Sequence, residues 1–216
     1  MRPKTIVCVS AFVLFCSMSV VAQSIYENGQ VSFDSTAWSF VGSRYWTSDT
    51  FTVSAANSTI TGVSIWVQLF VTDHDPTAEL TITSQANGGT VYFDEILQFS
   101  ESDCQANGWG YNICEETASW TNGPVLPSGT YWVTLKNGSL PSGGPAWWMQ
   151  NSGAGCHSPG CPSQAKFYPG STIPSEAFTI LGTSGGSKSA TPKTTSLLTF
   201  GAGFVGLVGL VRHKLG

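Results

Sequence analysis

The chain has 216 residues, a formal net charge of −4 and only 10% charged side chains, against 41% hydrophobic and 12% aromatic ones. Its nine Lys and Arg are spread along the whole length and form no basic stripe, which excludes a nucleic-acid partner held through phosphate contacts. Plentiful Gly, Ser, Thr and aromatic residues suit strands and turns better than helices.

The chain opens with Arg2 and Lys4, followed by an uncharged apolar run over residues 6–21, the composition of a secretory leader. Val20 and Ala22 stand three and one positions before the bond to Gln23, so cleavage is expected between Ala22 and Gln23 and residues 1–22 read as a signal peptide. Phe15 precedes Cys16 where lipoprotein processing needs a small residue, which argues against a lipid anchor there. Residues 23–182 then make one domain of ordinary size.

Within it, residues 31–33, 38–41 and 49–53 read as weak strands. Residues 59–71 alternate strictly, with Val63, Ile65, Val67 and Leu69 on one face and Ser64, Trp66, Gln68 and Phe70 on the other. Leu80 and Ile82 repeat the pattern, Asn87-Gly88-Gly89 supplies a left-handed turn, and residues 90–99 return as a strand with Val91, Phe93 and Leu97 expected to be buried. Leu126-Pro127-Ser128-Gly129 is a turn leading into residues 130–136, where Tyr131, Val133 and Leu135 alternate with Trp132, Thr134 and Lys136. The last strand covers residues 177–181 around Phe178 and Ile180. No mature segment carries a 3.6-residue stripe, so the expected fold is all-β: a two-sheet antiparallel β-sandwich, jelly-roll-like.

Cys8 and Cys16 leave with the leader, and Cys104, Cys114, Cys156 and Cys161 remain. An even set in an exported chain reads as disulfides, and four cysteines allow three connectivities. Local pairing, Cys104 with Cys114 and Cys156 with Cys161, is favoured because each pair closes a turn-rich loop. A zinc site with His157 fits the spacing poorly.

The acids Asp73, Asp75, Asp94, Glu95, Glu115 and Glu116 offer no facing pair of the kind glycoside hydrolysis requires, since neighbours on a strand point to opposite faces. They read as solvated strand ends. His74 and His157 lie in no nucleophile setting, and residues 72–76 lack the Gly and distal acid of an EF-type calcium loop. No catalytic residue, metal or cofactor is expected. Trp109 and Tyr111 in one Gly- and Asn-rich loop, with Trp147 and Trp148 after Gly143-Gly144-Pro145, are the candidates for stacking on a sugar; Trp38, Trp46, Trp66, Trp120 and Trp132 read as packing residues.

Residues 183–195 form a flexible linker rich in Gly, Ser, Thr and Lys. Residues 197–211 are uncharged, apolar and Gly-spaced, and Arg212, His213 and Lys214 follow them. As a helix they would reach about 22 Å, short of the ~30 Å hydrocarbon core, with the basic end held in the cytoplasm. The run Thr191-Pro192-Lys193-Thr194, the Gly-rich helix and the basic cluster together resemble the PEP-CTERM sorting tail of Gram-negative bacteria, over residues 191–216. Lys193 stands where that family has Glu, and Thr194 where it has a second Pro. The resemblance implies export past a signal peptidase, transient anchoring at the inner membrane, recognition by an exosortase and association with exopolysaccharide. Residues 126–132, 144–153 and 173–180 also resemble exported proteins that carry this tail; in those, acids stand at the positions of Gly144 and Met149, the loop at Cys156 to Cys161 is lacking, and no settled activity is known. The expected function is a non-enzymatic envelope or matrix protein, in the periplasm, on the outer surface or outside the cell. The alternative is a carbohydrate-binding module using the loop aromatics, and a glycoside-active enzyme is the least favoured reading.

Overall fold

The computed structural model describes residues 22–34, 36–107, 109–144, 146–151, 163–168 and 170–185. The leader up to residue 21, Cys156, His157, Cys161 and the expected tail with Thr191, Pro192, Lys193, Thr194, Arg212, His213 and Lys214 lie outside the described residues. Among the described residues no helix is long and apolar enough to cross a membrane.

Fourteen strands follow in chain order: β1 (Gln23–Glu27), β2 (Trp38–Val41), β3 (Thr47–Val53), β4 (Ser58–Phe70), β5 (Thr77–Gln85), β6 (Gly88–Gln98), β7 (Ser100–Ala106), β8 (Tyr111–Ser119), β9 (Val125–Leu126), β10 (Gly129–Ser139), β11 (Ala146–Met149), β12 (Ala165–Phe167), β13 (Ser171–Ile173) and β14 (Phe178–Thr183). They build two antiparallel sheets packed face to face, the sandwich that the alternation leads one to expect. The smaller sheet runs β13-β12-β3-β10-β5-β6. The larger is organised around β4, whose one edge pairs with β9 and β8 while the other pairs with β14 and β11.

The strict alternation of β4 explains its place. Val63, Ile65, Val67 and Leu69 are at most 2% exposed and meet Phe51, Leu80, Ile82, Val133 and Leu135 of the facing sheet in one continuous core. Fully burying a side chain of this size contributes about 1.5–3 kcal/mol. Turns follow the left-handed positions: Asn87 (φ 57°) and Gly89 (φ 80°) reverse the chain between β5 and β6.

Two expectations need correction. Residues 31–33 form no strand beyond a single bridge from Val31 to Asn151, because this segment crosses the outside of the larger sheet and buries Val31 against Ile113 and Met149. Val91 is 56% exposed. Ile82 pairs with Phe93 but Thr83 pairs with Val91, so Tyr92 is an extra residue; this bulge flips the alternation and turns Val91 outward while Phe93 and Leu97 still pack on the core.

Strands β7 and β8 pair with Cys104 directly opposite Cys114, and the two form a disulfide. Both sulfurs are thereby withdrawn from any metal-ligating role. Every residue of β7 is exposed, so no apolar burial holds this edge strand in place. Ala22 and Gln23, flanking the expected cleavage bond, are exposed at the start of β1. Replacing both cysteines with alanine should lower unfolding stability by about 2–3 kcal/mol, the loop-closure term for a ring of this length, as read from urea denaturation, with β7 amides losing hydrogen-exchange protection first.

Candidate functional site

The two outer faces of the sandwich differ in chemistry. On the smaller sheet the outward positions are largely hydroxyl-bearing, among them Ser48 hydrogen-bonded to Thr134, and its rings are capped by cations: Lys136 lies over Trp46 and Lys166 over Trp132. The larger sheet turns an aromatic face outward.

Register assembles that face. Trp147 of β11 sits opposite both Phe40 of β2 and Gln68 of β4, and Phe70 of β4 sits opposite Tyr111 of β8. Residues directly opposite across a ladder share a face, so these side chains all point away from the core. The ring of Trp147 meets Trp38 at 6.0 Å, Phe70 at 5.5 Å and Tyr111 at 6.0 Å, each edge to face, and Phe70 lies 5.1 Å from Tyr111. Trp38 and Phe70 keep more than a third of their surface open to solvent. In the middle of these rings is a buried amide, Gln68, whose Oε1 accepts a hydrogen bond from Asn107 Nδ2 at 3.4 Å. Asn107 Oδ1 in turn accepts the backbone N–H groups of Trp109 and Tyr111, which fixes the turn that presents Trp109 at 77% exposure. Along the sheet, Trp66 packs edge to face on Phe33 and the pair lines a hollow of about 520 Å³ with Glu27 and Glu115 at its rim. A second hollow, about 440 Å³, adjoins the row where Phe40 meets Tyr45.

Of the four aromatics expected in loops, Trp109 alone occupies one. Tyr111 begins β8, and Trp147 and Trp148 belong to β11 between β2 and β4. Because successive strand residues alternate, Trp147 faces out and Trp148 faces in. Trp148 is fully buried, packs on Phe178, and donates its indole N–H to Ala177 O, so it has no ligand-stacking role. The partners that complete the row, Trp38, Phe40, Phe70 and Gln68, were not among the candidates. The outward parity of 64, 66, 68 and 70 carried the signal for two of them. Of the five tryptophans expected to pack, Trp120 stacks on Phe93 against the core, Trp46, Trp66 and Trp132 lie on outward faces against a ring or a lysine, and Trp38 joins the open row.

The acids also need correction. Glu116 is not solvated but fully buried, on the core face of β8 beside Cys114 and Ala118, with no hydrogen-bond partner for either oxygen. Burial pushes its carboxyl up to about 8, helped by the charges of Glu101 opposite and Asp75. Asp73 is buried as well, accepting the Ser142 N–H and hydroxyl. Two buried acids outside the expected set lie together: Asp49 on the core face of β3 and Glu176 before β14. Asp49 accepts from Asn28 Nδ2, Ser163 Oγ and the backbone N–H groups of Thr50 and Glu176. Desolvation nevertheless raises it to about 7 and drives Glu176 well above the ordinary carboxyl range. Asp49, Asp73, Glu116 and Glu176 are all buried, so none of the four reaches a glycosidic bond in this structure.

No protein-family model matches the chain, and a search of curated proteins returns no match.

The raised acids bind protons in the folded state that they release when unfolded, so folding stability falls as pH rises from the ordinary carboxyl range toward 8. Glu116→Gln should leave thermal unfolding nearly unchanged below pH 4.5, where the wild-type carboxyl is protonated in both states, and should raise the midpoint relative to wild type at pH 8. Calorimetry at the two pH values measures the difference.

Proposed function

We propose that this protein is an exported, non-enzymatic component of the cell envelope or extracellular matrix that holds polysaccharide on the aromatic outer face of its larger sheet. The observation that carries this reading is the row Trp38, Trp147, Phe70 and Tyr111, open on one side to solvent and interrupted by the Gln68–Asn107 amide pair. Sugar rings present one apolar C–H face and a rim of hydroxyls. A strip of aromatic side chains with a few fixed amides complements both surfaces.

Export is supported by the leader, the linker and the tail resembling a PEP-CTERM signal, with an exosortase and exopolysaccharide as the partners that resemblance implies. The Cys104–Cys114 disulfide is compatible with an oxidising compartment. The burial of Asp49, Glu116 and Glu176 inside the sandwich keeps these three from the two-carboxyl role that retaining and inverting hydrolysis both need.

Trp147→Ala should weaken retention on the producing cell's exopolysaccharide by about tenfold, equivalent to ~1.4 kcal/mol, with the circular dichroism spectrum preserved. Affinity electrophoresis in gels containing the polymer measures it, and unchanged retention would remove the sheet face from the binding role. Trp148→Ala should instead lower the unfolding midpoint sharply, because it leaves a cavity in the core and removes the indole N–H bond to the Ala177 carbonyl.

A further inference from the structure

The aromatic row does not end at Trp147. Phe40, its cross-strand neighbour, meets Tyr45 edge to face at 5.4 Å, and Tyr45 stacks on Phe167 at 5.5 Å with 12° between the planes. Phe40 and Tyr45 wall the 440 Å³ hollow, and Gly144 on its far side lies against Phe70, so the hollow is continuous with the row at two points. Four of the lining residues are glycines, Gly42, Gly138, Gly143 and Gly144, and Gly143 holds φ at +83°. A ligand entering here meets backbone, rings, the polar side chains of Ser43, Asn137 and Ser139, and one charge.

That charge is Arg44, exposed on the wall. Among the described residues there are three Lys or Arg side chains, and the other two are occupied: Lys136 pairs with Glu79 and lies over Trp46, and Lys166 lies over Trp132. Arg44 meets neither a carboxylate nor a ring among the described residues. The wall itself contains no acid. The acid that touches it through Asn137, Glu79, is spent on that amide and on Lys136. In a chain of net charge −4, an uncommitted guanidinium beside two rings in a glycine-rich hollow is a local reversal of sign.

We propose that this hollow is a subsite for a carboxylate-bearing sugar, a uronic-acid unit of an acidic polysaccharide whose neighbouring units lie along the Trp147 row. The proposal rests on the sheet-face reading above and names its substrate class. The planar fork of Arg44 matches a carboxylate bidentately, in the manner that distinguishes arginine from lysine. Tyr45 and Phe40 offer faces for the pyranose C–H groups, while Ser43 and Ser139 are in place for its hydroxyls. A neutral polymer would make the ring contacts and leave the guanidinium unused.

The test uses the protein purified from the exported fraction of cells expressing the full chain, with polygalacturonate and the same polymer after carboxyl reduction as probes, in affinity electrophoresis. Wild type is expected to bind the acidic polymer about tenfold or more tighter than the reduced one, as a charge-assisted contact supplies, and to lose the advantage as salt is raised. Arg44→Gln should equalise the two polymers, Arg44→Lys should restore part of the preference, and Trp147→Ala should weaken both. Equal wild-type affinity for the two polymers, with Trp147→Ala still weakening both, would overturn the acidic subsite and leave the sheet face standing. Binding to neither polymer would overturn the acidic subsite, and unchanged binding in Trp147→Ala would overturn the sheet face itself.

Discussion

The constraint on which this molecule rests is the two-residue period of β4. A strand flanked on both edges has only two faces to give, and β4 gives one to the core and the other to the outside. Val63, Ile65, Val67 and Leu69 anchor the packing of sheet on sheet, while Trp66, Gln68 and Phe70 set the positions against which Trp147, Tyr111 and Phe33 assemble. A one-residue slip in register would exchange the two sets at once and put an amide and two large rings where the core is closed. Fold and surface are therefore specified by the same thirteen residues.

Charge is distributed to suit this division. The acids that the core encloses are handled in two ways. Asp49 is surrounded by donors from four residues, a cage tying β3 to the segments before β2 and β14. Glu116 and Glu176 lack such a cage, and burial, which disfavours the charged form, pushes Glu116 up to about 8 and Glu176 well above the ordinary carboxyl range. Asp49, Glu116 and Glu176 each lower stability as the medium becomes alkaline.

How much of this could be read from the residues depends on whether local pattern and tertiary context agree. β4, β5 and β10 were legible because their alternation is strict, and the Cys104–Cys114 pair because a turn-rich stretch separates the two residues. β11 was not, since Gly143-Gly144-Pro145 punctuates the chain just before it and four residues are too few to display a period. Reading 147 and 148 as neighbours in a loop concealed that strand parity sends one ring out and the other in. β7 carries no apolar alternation at all, and β8 hides its core face behind Glu116, whose type argues for solvent while its position between Cys114 and Ala118 argues for the interior. The candidate site was thus half visible: the right residue types were found, but the face that unites them exists only once β2, β11, β4 and β8 are side by side.

The exposed border strand β7 has a consequence for how copies of this protein coexist. Among the described residues it pairs with β8 alone, and Asp75 Oδ1 accepts the Glu101 N–H, so the rest of its outer edge is the template on which a second chain would extend the sheet. Glu101 and Asp103 place two negative charges on that edge, and the sulfur bridge to β8 keeps it from peeling away and offering a longer template. Such molecules repel one another along the border where β-rich proteins otherwise polymerise.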